Sequence, residues 1–136
     1  MKISARNQFA GKIVSINEGA VNGIVTLDAD GMMISSTISM AAIKELGLEQ
    51  GVEATAVIKA TEVLVARGDM KISARNKFAG KVVSVAKGAV NGIVCIEVAG
   101  NKISATISNA AIEELELAEG VEAVAVVKAT SVMIAR

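Results

Sequence analysis

Residues 1–15 read MKISARNQFAGKIVS, and residues 70–84 read MKISARNKFAGKVVS. The second stretch starts 70 − 1 = 69 residues after the first, and this offset runs without a gap to the pair Arg67 and Arg136. On the way Asn22 falls on Asn91, Gly31 on Gly100, Ser39 on Ser108 and Lys59 on Lys128, and about two-thirds of the paired positions are identical. One unit has been duplicated. Gly68 and Asp69 alone join the copies, so the expected domains are residues 1–67 and 70–136, held by a linker too short to let them move freely.

Within one unit the pattern is that of strands. Residues 10–17 and 20–29 are rich in Val and Ile and flank Glu18-Gly19, which predicts a hairpin, with Lys87-Gly88 as its counterpart. Asp30-Gly31 predicts the next reversal, and Met33 to Ser39 a third strand. A short helix should follow, with Ser39 as N-cap and Gly47 after its last turn. Residues 52–59 and 61–66 should form the closing strands. The fold class expected is therefore all-β: two tandem Greek-key barrels of the OB type, each with one short helix.

Composition narrows the function. Basic and acidic residues number 14 each, so no overall field draws in nucleic acid or an anionic membrane. No apolar run nears the roughly 18 residues of a membrane span, although 52% of the residues are hydrophobic. The first six residues lack an apolar signal core and recur at 70–75, so the chain is expected to be soluble and cytoplasmic. Catalysis has little to work with: His, Trp and Tyr are absent, and Cys95 has Thr26 as its counterpart. The same shortage of thiolate and imidazole disfavours a metal cation, and Cys95 reads as a small strand residue. A unit this small with only two aromatic residues, Phe9 and Phe78, makes a modest core, and oligomerisation is the remaining means of support.

What the repeats do share is hydrogen-bond donors in apolar surroundings. Ser4, Arg6, Ser39 and Lys59 are matched by Ser73, Arg75, Ser108 and Lys128. Donors without matching acceptors suit a guest that only accepts hydrogen bonds, such as a tetrahedral oxyanion. The backbone N–H groups after Ser39, beside the small residues Ala41 and Ala42, would add to such a site. Plainer roles compete: Ser39 and Ser108 also suit simple helix caps, the lysines could point outward from a strand, and the arginines could make surface ion pairs.

The segments Lys2 to Asn7, Gly19 to Asn22, Thr37-Ile38-Ser39, Glu45 to Leu48 and Ala56 to Thr61 together resemble the molbindin (Mop) family, part of the wider TOBE grouping. The resemblance covers essentially the whole chain, twice. It implies a non-enzymatic protein without a cofactor, whose ligand is molybdate, with tungstate also accepted, and which stores or buffers molybdenum as a homotrimer of six domains. It further implies oxyanion sites between domains, bound through Ser4, Arg6, Lys59 and the backbone of Ala60 from one domain and Ser39 and Ala42 from a neighbour. Ser73, Arg75, Lys128, Ala129, Ser108 and Ala111 would take these roles in the second copy. Additional sites on a threefold axis are implied near Val21, Asn22, Val90 and Asn91, where the following Gly23 and Gly92 depart from the family's pattern. A molybdate-responsive module acting on a partner protein stays open as an alternative, as does, more remotely, a nucleic-acid-binding OB module lacking the usual aromatic platforms.

Overall fold

The computed structural model describes all 136 residues. In the first repeat β1 (Asn7–Glu18), β2 (Asn22–Ala29) and β3 (Met32–Ser39) form an antiparallel meander, followed by α1 (Met40–Glu45), β4 (Glu53–Ile58), a single 3-10 turn (Ala60–Glu62) and β5 (Leu64–Ala66). The second repeat gives β6 (Asn76–Lys87), β7 (Asn91–Val98), β8 (Asn101–Ser108), α2 (Asn109–Glu114), β9 (Glu122–Val127), a 3-10 turn (Ala129–Ser131) and β10 (Met133–Ala135). The all-β, OB-like tandem architecture and the one short helix per unit are as the sequence implied.

One connection differs from the simplest reading of the repeat. The sheets run β10-β4-β1-β2-β3 and β5-β9-β6-β7-β8, so each repeat supplies four strands to its own sheet and its last strand to the other. Leu64 pairs with Val126 and Ala66 with Val124, while Met133 pairs with Val57 and Ala135 with Thr55. Residues 61–62, expected to open the last strand, instead belong to the Ala60–Glu62 turn that carries the chain out of one sheet and toward the other.

The long first strand of each barrel serves two neighbours. β1 pairs with β4 through Asn7 to Lys12 and with β2 through Lys12 to Glu18, and its register shifts between Ile13 and Ser15. Such a bulge bends a strand and tightens its twist, which lets one strand belong to both walls of a barrel. Just before the bulge Gly11 passes so close to the Asp28 carbonyl that an added Cβ would collide with it, and Gly80 meets the Glu97 carbonyl in the same way.

Alternation along the strands sends Ile13, Val25, Leu27, Ile34 and Ile58 inward, with Val82, Val94, Ile96, Ile103 and Val127 as their counterparts. These side chains form one continuous core of 26 buried residues drawn from both repeats. The exchanged segments close it: Val63 and Val132 are both fully buried in the cluster. No helix is long and apolar enough to cross a membrane.

Candidate oxyanion site

The loop before β1, residues 3–6, returns against the turn that follows β4. Together they line a cavity of about 370 Å³ formed by Ile3, Ser4, Ala5, Arg6, Lys59, Ala60 and Thr61 with Thr106 and Met133. The second repeat builds the same cavity, about 480 Å³, from Ile72, Ser73, Ala74, Arg75, Lys128, Ala129 and Thr130 with Thr37 and Leu64. Four of the expected donors therefore converge in each copy: Ser4, Arg6, Lys59 and Ala60 in one, Ser73, Arg75, Lys128 and Ala129 in the other.

Neither cavity contains a carboxylate. Three other concave regions do: one is lined by Asp28, Asp30 and Glu53, another by Asp69 and Glu122, and a third by Glu97 and Glu119. A guanidinium, an ammonium and several hydroxyls with no anionic neighbour in the same cavity have no internal partner for their charge. Such a set stabilises an anion that accepts hydrogen bonds from several directions. Arg6, Arg75, Lys59 and Lys128 form no ion pair, since the one salt bridge is the exposed contact Lys87–Glu113 at 3.4 Å.

Local sequence explains the shape. Lys59 and Lys128 each stand in extended conformation just before a 3-10 turn, with their carbonyls accepting from Glu62 and Ser131. The turn needs tight packing at its first residue, and Ala60 and Ala129 are accordingly small and buried.

Ser39, Ala42, Ser108 and Ala111 lie outside these cavities. The Ser39 and Ser108 hydroxyls cap α1 and α2, each accepting from the N–H of Ala42 or Ala111 at 3.0 Å. Asn22 is opposite Ser39 in the β2–β3 ladder, and Met40 donates to the Val21 carbonyl, so Val21, Asn22, Ser39 and Ala42 share one end of the barrel. Asn91, Ser108 and Val90 repeat the arrangement. Val21 and Val90 are the most exposed large apolar residues, at 74% and 72%.

Thr37 and Thr106 enter the cavities unannounced by sequence spacing. Each comes from the other repeat, Thr106 beside Lys59 and Thr37 beside Lys128. Thr37 stands two residues before Ser39 on β3, about 7 Å along the strand. The Lys128 cavity of one repeat is thus lined by a residue two positions from the helix cap of the other.

Residues 3–65 and 72–134 match the TOBE domain. The chain belongs to the TOBE family. Its tandem TOBE repeats are 62% identical over 66 residues to a probable molybdenum-pterin-binding protein of Haemophilus influenzae, an alignment covering 48% of this chain and 96% of that protein. The molybdenum transport protein ModE of Herbaspirillum seropedicae is 41% identical over 139 residues, covering 99% of this chain and 52% of ModE. The tandem repeats thus span about half the length of ModE. A crystal structure of the cytoplasmic molybdate-binding protein ModG with molybdate bound superimposes with a TM-score of 0.95 at 36% identity, covering 99% of both chains.

Proposed function

We propose that the chain is a cytoplasmic molybdate-binding protein that stores or buffers molybdenum as its oxyanion and performs no chemistry on it. The observation that carries this reading is the pair of carboxylate-free cavities, each gathering a serine, an arginine, a lysine and a threonine from the opposite repeat. The similarity to molybdenum-pterin-binding proteins, ModE and ModG supports molybdate as the oxyanion. Tungstate has the same charge and nearly the same size and is expected to bind as well.

A dianion is costly to desolvate, so charge-assisted donors must replace its water. Arg6 with Lys59, and Arg75 with Lys128, would supply the charge; Ser4 and Ser73 the hydroxyls; Ala60 and Ala129 the backbone N–H. Ser39, Ala42, Ser108 and Ala111 would complete the sites from a neighbouring domain, and Val21, Asn22, Val90 and Asn91 would meet at a threefold axis.

The cavity rims favour that assembly. Ile3 and Met133 around one cavity, and Leu64 and Ile72 around the other, are exposed by 39–52%. Apolar rims around a polar floor suit a site closed by another copy of the chain, and a trimer is the expected form. Ligand held between copies would then strengthen assembly, and assembly the ligand site.

Isothermal titration with molybdate is the test, with saturable heat expected near or above one anion per repeat. Replacing Lys59 and Lys128 together by Ala should cost about 2 kcal/mol per site, roughly thirtyfold in affinity. Absence of saturable heat and of any thermal shift at millimolar molybdate would overturn the assignment.

A second reading is favoured by the alignment to only half of ModE: the tandem repeats would serve as a molybdate-responsive module read by another protein. Pull-down with and without molybdate separates this from storage. Nucleic-acid binding has less support, because Phe9 and Phe78 are both buried at 7% exposure and offer no stacking face. A low-salt gel shift tests it.

A further inference from the structure

Asn7 and Asn76 are buried to 2% exposure, and apart from Ser36 they are the only buried polar side chains in the protein. Each follows the Ser-Ala-Arg segment that lines a cavity, yet neither lines the cavity itself. Their amides are fully engaged. The Asn7 amide Nδ2 donates to the Ser104 carbonyl and its Oδ1 accepts from the Ser104 N–H, both at 2.8 Å. Asn76 does the same to Ser35, again at 2.8 Å in both directions.

Ser35 and Ser104 lie on β3 and β8, the outer strands of the two sheets. An edge residue has an N–H and a C=O with no strand to meet them, and a primary amide can offer both complements at once. Each asparagine therefore acts as a one-residue extra strand, fastening one repeat to the edge of the other.

The position of this clamp relates it to the cavity. Asn7 is joined covalently to Arg6; its Cα is opposite Ile58, the residue before Lys59; and its amide grips Ser104, two residues before Thr106 on the same face of β8. Arg6, Lys59 and Thr106 stand on three of the four segments that line one cavity. Asn76 relates Arg75, Lys128 and Thr37 in the same way, through its pairing with Val127 and its grip on Ser35.

We propose that Asn7 and Asn76 are positioning residues for oxyanion binding, each setting the arginine loop, the lysine turn and the opposite repeat's threonine at the spacing the anion needs. This rests on the molybdate reading above. The asparagines touch no ligand; they fix the groups that do, as outer-shell partners orient the ligands of a metal.

The test separates local positioning from general stability, because both repeats share one continuous core. Lys128→Ala leaves the Lys59 cavity as the binding site under observation, and Lys59→Ala leaves the Lys128 cavity. Asn7→Ala is placed in each background and molybdate affinity is measured by titration on the folded protein. With the Lys59 cavity under observation, affinity should fall on the order of tenfold or more. With the Lys128 cavity under observation, it should stay within about twofold, the scatter expected of an independent site. Asn76→Ala should give the mirror image. Equal losses in both backgrounds, or none in either, would overturn the proposal. Should Asn7→Ala not fold, Asn7→Ser, which keeps a polar group at the position but lacks the amide's reach to Ser104, is read by the same criterion. If the unmodified chain shows no saturable molybdate binding, the functional reading fails first, and the positioning role with it. Binding that survives in the unmodified chain but ignores Asn7 removes the positioning role alone.

Discussion

A helix that ends in a left-handed residue prefers glycine there, because a Cβ crowds the following carbonyl. The first repeat obeys, with Gly47 at φ +61°, whereas the second places Glu116 at φ +52°. The difference extends to the arginines that cap these ends. Arg136 reaches both the Leu46 and Gly47 carbonyls, at 3.0 and 3.1 Å, while Arg67 reaches only Leu115, at 2.9 Å. A Cβ at position 47 would stand 3.0 Å from the Arg136 guanidinium, so the fuller cap needs the smaller residue. Glu116→Gly is expected to stabilise the protein by about 1 kcal/mol, a rise of roughly 3 °C in Tm. Gly47→Glu should lower stability by at least as much, and a pair of thermal melts decides both. The serine caps of α1 and α2 were legible from their own neighbours, because a cap is a local device. Thr37 and Thr106 were not, since only the folded path of the other repeat brings them to a cavity.

Strands β1 and β6 each shift register at a bulge, and each serves two partners. Gly80 lies just before this bulge against the Glu97 carbonyl, and that backbone together with the Val98 side chain leaves nowhere for a methyl group to go. Gly80→Ala should therefore cost about 3 kcal/mol or prevent folding. Gly51→Ala is the informative comparison: open space surrounds its missing Cβ, but φ is +91°. Strain without collision should cost closer to about 1 kcal/mol, so urea titrations of the two variants distinguish crowding from backbone angle. Alternating Val and Ile announced the strands, and Asp30-Gly31 the reversal. The destination of β5 was hidden for a physical reason. Leu64-Val65-Ala66 would present the same alternation to either barrel, and the strands that could receive it, around Ala56-Val57 and Ala125-Val126, are nearly the same sequence.

Exchange of the last strands makes the duplicated chain a single folding unit, in which neither repeat owns a complete barrel. Without β10, the edge of β4 would lose its partners at Thr55, Ala56 and Val57, and Val132 would leave the core. Arg136 would also be missing from the end of α1, and without the rest of the second repeat the Asn7 amide would lose Ser104 on β8. A single repeat can recover all of these contacts by pairing with a second copy of itself, each donating its last strand to the other. The Haemophilus influenzae relative, matched over 96% of its length by 66 residues, is about the size of one repeat. Residues 1–67 expressed alone are therefore expected to form dimers or multiples of dimers, with β5 of each copy seated on the other. Size-exclusion chromatography with light scattering reads this directly. A folded monomer would mean that residues 60–62 can instead reverse β5 onto its own β4, and that the exchange is a choice made by the linked repeats and not by the unit.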